Sequence, residues 1–323
     1  MTLARWLMLL AILAVAAFVA IAVGTITVPL SAVFDAFRGV TDSTPAMVVT
    51  TLRLPRVALA ILIGAGLGMS GAALQGTMRN PLAEPYLLGV SGGAAVGAVI
   101  ATTLGFGATI VPLAAFVGAL TAVGAAFIVA RAAGSLGDPR VLLMAGVVVG
   151  AFANAAIMVM LANAESNTVR NALWWMMGSV ADATRTQITV LFVYVAAGGC
   201  ALVLLGRQID ILALGEDAAA GLGVDVDRAM RNVFVVASLI AAATVAAAGL
   251  VGFVGLVVPH IVRAAGVRHH RSLVAGSAIV GGTLVVLADL LGRILRPPAE
   301  LPLGAVTALV GVPFFLIKLR RLR

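Results

Sequence analysis

Three histidines, one cysteine and thirteen acidic residues are all that the 323-residue chain offers to metal binding, redox chemistry or acid–base catalysis. The lone Cys200 sits inside an apolar run, which excludes a disulfide framework and a cysteine metal site. The sequence has no HExxH pair, no glycine-flanked serine matched to a histidine at depth and no GxxxxGK[ST] loop. His260 follows Pro259 in an apolar stretch, and His269 and His270 stand between Arg268 and Arg271, where solvated surface is a plainer reading than a metal site. No catalytic residue, no metal site and no cofactor held by the chain itself is expected.

Charge is also scarce. Only 11% of residues are charged, 62% are hydrophobic and the mean hydropathy is +1.15, against about a quarter charged in soluble domains. The chain reads as an integral, all-α membrane protein; helices in lipid tolerate its twelve prolines and 36 glycines, because neighbouring helices re-satisfy the freed backbone groups. The net charge of +8 comes from cations scattered singly between apolar runs, which excludes a nucleic-acid face. Carboxylates at membrane depth, the usual mark of ion-coupled transport, are few: Asp289 lies near a helix end, and Glu84 and Glu300 border helices. The uncharged run after Arg5 exceeds a signal-peptide core of about 7–15 residues and reads as a retained first span.

Charges divide the chain into uncharged runs at 6–34, 57–78, 85–130, 141–164, 186–206, 232–262, 272–288 and 301–317. A span needs about 20 apolar residues. Two runs are too long for one crossing; 85–130 breaks at Gly105-Phe106-Gly107 and 232–262 breaks near Gly249 to Gly255, which makes ten transmembrane helices. With the amino terminus inside, Arg38, Arg53, Arg56, Arg170, Arg185, Arg293 and Arg296 fall outside and the other fourteen of the 21 cations, including Arg321 and Arg323, fall in the cytoplasm. Both termini are then cytoplasmic.

Small residues recur every fourth position at Gly64, Gly68 and Ala72, at Gly89, Gly93 and Gly97, and at Gly146, Gly150 and Asn154. Such stripes let helix backbones approach where lipid supplies no hydrophobic drive. They either pack helices or leave room along a pathway. The largest polar insertion, RQIDILALGEDAAAGLGVDVDRAMR, predicts two short surface helices within about 208–227, broken at Gly221 and Gly223. It is either an interfacial connector or a protein-docking knob, with Glu216, Asp217 and Asp225 negative on a basic face.

The segments RLPR (53–56), SGAALQGTMRNPLAEPYLLGVSGGAAVGA (70–98), WWMMGSV (174–180), LALGEDAAAGLGV (212–224), GLVGFVGLVVPHIVR (249–263), HRSLVAGSAIVGG (270–282) and ELPLGAVTALVGVPFFL (300–316) resemble the FecCD-like permeases, the membrane subunits of ABC importers for iron–siderophore complexes, haem and cobalamin. The resemblance runs from about Arg53 to the carboxyl terminus. It implies a single permease domain over 1–323 with the ten-helix fold of a type II ABC importer, multi-pass in the bacterial cytoplasmic membrane. It further implies a second permease copy or close paralogue, two cytoplasmic ATPase subunits that bind ATP and Mg, and a periplasmic or lipoprotein binding protein that delivers a metal chelate.

Residue by residue, the resemblance assigns ATPase coupling to Leu214, Gly215, Glu216, Ala219, Leu222 and Gly223, and binding-protein docking to Arg53, Arg56 and Arg293, which are otherwise read as snorkelling cations. The NPLAEP corner closes the inner end of the pathway in related permeases, so Asn80 and Leu82 are the expected gate, with Gln75, Ser91 and Asn154 as weak polar contacts along the path. Enzyme activity is not expected of this chain, since hydrolysis belongs to the partner. An ion-coupled secondary transporter is the competing reading.

Overall fold

A chain in lipid must pair its backbone N–H and C=O groups within itself, and helices do this segment by segment. The computed structural model describes residues 2–24, 28–39, 43–107, 109–133 and 138–320, and among them it contains thirteen α-helices and no strand. In order these are α1 (Leu3–Ala22), α2 (Leu30–Phe37), α3 (Thr44–Thr77), α4 (Val90–Thr103), α5 (Ile110–Ala132), α6 (Pro139–Ala162), α7 (Ser166–Met176), α8 (Arg185–Leu212), α9 (Glu216–Gly221), α10 (Val226–Ala248), α11 (Val254–Ala264), α12 (His270–Ile294) and α13 (Leu303–Arg320). Arg321 and Arg323, used in the charge count, lie outside the described residues.

Seven of these (α1, α3, α5, α6, α8, α10 and α12) are long and apolar enough to cross a membrane, while α4, α11 and α13 are apolar but shorter. The ten expected spans therefore correspond to seven full-length and three short helices, and length alone does not establish ten crossings. Both expected breaks are present: α4 ends before Gly105, and α10 ends before Gly249. We call the end of the bundle that holds Thr77, Leu212 and Ala264 the inner end.

The centre of the bundle is α3, buried along most of its length and packed against α8, α10, α11 and α12. Pro55 has no N–H to donate, and a wide π turn at Val49–Arg53 absorbs the break, with Leu54 N–H reaching back to Val49 O. Close approach explains the first glycine stripe. A methyl on Gly64 would strike the carbonyl of Gly281, and one on Gly71 would strike that of Gly255. The second stripe packs α4 on α5 through Gly93 and Gly97, with Gly89 outside the helix at φ +82°. The third divides: Gly146 packs on Leu87 and Leu88, whereas a methyl on Gly150 would meet nothing, although its backbone lies beside Gly92, and Asn154 is exposed.

Helix α11 begins against Gly71, six residues before α3 ends, so its start lies about 9 Å inside the bundle's inner end. It is a half-length helix that re-enters after α10. The expected pair of surface helices within 208–227 resolves differently. Helix α8 runs unbroken to Leu212, because Ile209 and Leu212 continue its buried face and Asp210 is bonded to His270, leaving only α9 as a separate short helix. Asp225 then caps α10 by accepting from Arg228 N–H at 3.0 Å.

Candidate functional site

The corner between α3 and α4 is shaped by its own sequence. Asn80 Oδ1 accepts from Leu82 N–H at 2.9 Å, an Asx turn that Pro81 completes, and Asn80 N–H reaches Gln75 O at 3.2 Å. Arg79 takes a left-handed φ of +50° to make the bend. Leu82 is left 41% exposed, whereas Asn80 spends its side chain on the turn.

Two side chains fasten this corner to the break between α10 and α11. Glu84 Oε1 accepts from Phe253 N–H at 2.7 Å, and the Tyr86 hydroxyl oxygen accepts from Val251 N–H at 2.9 Å. Burial pushes the Glu84 carboxyl up to about 7, against the pull of the Phe253 N–H, and burial likewise raises the Tyr86 phenol. A carboxylate at Phe253 also meets the positive end of the α11 dipole. Neither role is visible in the sequence, where Glu84 is only a carboxylate bordering an apolar run.

Gln75 does not line an open path. It is 3% exposed, donates through Nε2 to Gly255 O and Leu256 O, and accepts Arg263 Nη1 at 2.6 Å through Oε1, which ties α3 to α11. The interior of a lipid-embedded bundle offers no water to a primary amide, so the nearest backbone carbonyls take it. Ser91 is half-buried in the first turn of α4, and Asn154 faces out of α6.

The coupling candidates gather at α9. Gly215 at φ +115° and Gly223 at φ +78° bend the chain on either side of it, and Ala219 is fully buried beneath it. Leu214 and Leu222 project instead, 67% and 61% exposed, at the inner end of the bundle. Glu216 turns inward along the surface, its Oε1 accepting Arg79 Nη2 at 3.0 Å. Thus α9 is joined to the corner by an ion pair. Just before it, the last turn of α8 is held by Asp210, which accepts His270 N–H at 3.0 Å and lies 2.6 Å from the ring Nδ1.

At the opposite end the three arginines expected to dock the binding protein are engaged within the chain. Arg53 and Arg293, 6% and 4% exposed, turn into the protein and take the carbonyls that end α1. Arg53 Nη1 donates to Ile21 O and Ala22 O at 2.6 and 2.8 Å, and Arg293 donates to Ala20 O and Val23 O at 2.9 and 3.3 Å. A helix leaves its last four carbonyls unpaired at its negative end, and two guanidiniums answer both needs. Arg56 is clamped by two carboxylates, Asp289 at 2.7 Å and Glu300 at 2.8 Å. Arg56 keeps partial exposure, its side chain 13% accessible, whereas Arg53 and Arg293 are buried. The exposed cations of that end are Arg38, Arg170, Arg185 and Arg296.

Known proteins share this sequence pattern and fold. The chain is 36% identical over 322 residues to an uncharacterized ABC transporter permease protein, YvrB, of Bacillus subtilis, covering 96% of this chain and 91% of that one. It is 42% identical over 278 residues to the cobalamin import system permease protein BtuC of Halobacterium salinarum, covering 86% and 74% of the two chains. A solved structure of an ABC transporter assigned to the metal-chelate type, in an inward-facing conformation, superposes with a TM-score of 0.87 at 28% identity over 97% of both chains. The model of the FecCD transport family matches residues 12–321, and the chain belongs to that family of ABC importer permeases.

Proposed function

We propose that this multi-pass permease forms half of a transmembrane pathway for a metal chelate, an iron–siderophore complex ahead of haem or cobalamin, and that it draws its energy from an ATPase docked on α9. The observation that carries the reading is the Arg79–Glu216 pair, which connects the exposed α9 knobs directly to the corner at the pathway's inner end. ATP closure of the ATPase subunits moves α9, the pair carries that motion to the corner, and Glu84 and Tyr86 carry it on to the start of α11. The chain supplies no nucleotide site; ATP and Mg are held by the partner.

A second permease copy fits the apolar outward face of α6, where Met144, Val148, Phe152 and Met158 are exposed beside Asn154. The inner end faces the cytoplasm, as do both termini. Docking of a binding protein falls to Arg170, Arg185 and Arg296, which are free to meet carboxylates on its lobes. The ion-driven reading gains no support from Asp289, which is held by Arg56 and lies 3.2 Å from Arg293 Nε.

The test is uptake into proteoliposomes that hold the permease, its ATPase and its binding protein, with ferric siderophore, haem and cobalamin offered in turn. Uptake of one of them only with ATP inside the nucleotide-accessible compartment is expected. Uptake driven by a proton or sodium gradient without nucleotide overturns the reading.

A further inference from the structure

Helices α5 and α8 both pack against α10, and Phe116 of one meets Tyr194 of the other with ring centroids 5.4 Å apart. Between them, from that pair toward the outer end, lies a lipid-facing cleft of about 540 Å³. Its floor is Ala243, Ala246 and Ala247 of α10, and its walls include Leu113 and Val190, 63% and 52% exposed. Alanines on one face of α10 leave the room that larger side chains would fill.

At its outer end the cleft meets a second cavity of about 490 Å³, the two sharing Pro112, Asp182, Gln187, Ala246 and Ala247. This second chamber is different in character. It is lined by Asn171, Trp174, Trp175 and Ser179 as well as the shared Asp182. Asp182 is exposed and has no hydrogen-bond or ion-pair partner among the described residues. Gln187, by contrast, is occupied with Thr184 in the capping box that starts α8. Arg185, exposed at the first turn of α8, places a cation at the same end.

An apolar slot that opens sideways to lipid, continuous with an outer chamber carrying a free carboxylate, two indoles and a nearby cation, has the layout of an amphiphile with a zwitterionic head. We propose that the cleft between α5 and α8 is a phospholipid site of the outer leaflet, selective for an ammonium headgroup. The acyl chain lies on the alanine face of α10, the ammonium sits at Asp182 against the faces of Trp174 and Trp175, and the phosphodiester is directed toward Arg185. Tryptophan is the side chain suited to this depth, apolar in body and able to donate a hydrogen bond at the interface. The proposal is independent of cargo and of ATP.

The chain has three tryptophans, so replacing Trp6 by phenylalanine leaves fluorescence that reports on Trp174 and Trp175 alone. The W6F protein is reconstituted in phosphatidylglycerol vesicles doped with acyl-brominated phosphatidylethanolamine or, at equal mole fraction, acyl-brominated phosphatidylglycerol. The ethanolamine lipid is expected to quench with an apparent affinity about fivefold higher, the size of one exposed charge pair plus one cation–π contact. D182N should bring the two lipids level. A247F, which fills the cleft, should lower quenching by both, and it carries the test should D182N perturb the chamber. Equal quenching by the two lipids in the W6F protein, a preference that persists in D182N, or quenching unchanged by A247F overturns the proposal.

Discussion

Arg79 Nη2 donates to Glu216 Oε1 across 3.0 Å and joins two segments 137 residues apart, the corner after α3 and the first turn of α9. Both side chains are more than 40% exposed, so the pair adds at most a small amount to stability, about 0–1 kcal/mol, with solvent screening holding it to the low end. Its weight is geometric. Arg79 stands at the left-handed bend of the corner and Glu216 opens the short helix, so the pair spans the two segments where they come together.

The exposed leucines flanking α9 are expected to carry the ATPase contact. Leu214→Ser with Leu222→Ser removes two apolar knobs that are mostly exposed in the isolated chain. Co-purification with the ATPase should fall at least tenfold, on the order of 1.4 kcal/mol or more, because burying such side chains at an interface is worth about 1.5–3 kcal/mol each. Thermal unfolding of the isolated permease should be unchanged.

Arg56→Ala leaves Asp289, 4% exposed, without its shortest cationic contact. Stability measured by thermal unfolding in detergent should fall by about 1–3 kcal/mol, the cost of under-satisfying a buried carboxylate left with Arg293 Nε at 3.2 Å. Arg56→Ala with Asp289→Asn should recover part of that loss, which a simple loss of packing at position 56 does not permit.

Reversal of Arg170, Arg185 and Arg296 to glutamate should slow association with the binding protein at low salt, and less so at high salt, since exposed charges act on encounter rate and are screened within about 10 Å at 0.1 M. Surface-plasmon on-rates at two ionic strengths measure this. On-rates indifferent to all three reversals contradict a docking role for these cations.

Glu84 gives the inner corner a pH dependence whose sign is set by burial. Its carboxyl is raised from 4.5 to about 7, so its contribution to stability is fully present below pH 4.5 and is lost as pH rises through about 7. Thermal unfolding followed from pH 5 to pH 8 should drop by an amount on the order of a few kcal/mol in the native protein. Glu84→Gln keeps an acceptor for Phe253 N–H and should flatten that slope.

Membrane class, helix breaks and family were legible because their causes are local. Gly105-Phe106-Gly107 and Gly249 to Gly255 interrupt apolar runs where small residues leave the helix, and both positions hold. Glycine stripes at four-residue spacing identify close helix faces, although nothing local distinguishes Gly146, where a methyl would strike the Leu87 carbonyl, from Gly150, where it would meet nothing. Buried polar pairing was not legible. A rare arginine in an apolar sequence signals an important position, but the acceptors of Arg53 are backbone carbonyls of α1, 31 and 32 residues earlier, which leave no mark in the composition. The Glu84–Phe253 and Asp210–His270 contacts pair residues 169 and 60 apart and likewise exist only once the helices are assembled.

The most direct measurement is ATP-driven uptake by four proteins: native, Arg79→Glu, Glu216→Arg and the double charge swap, each reconstituted with the same ATPase and binding protein, with ATPase binding measured in parallel. Each single reversal should abolish most uptake while the ATPase stays bound, and the swap should restore a large part of it. Loss of ATPase binding in Glu216→Arg that the swap does not repair, or native uptake in either single reversal, contradicts the account.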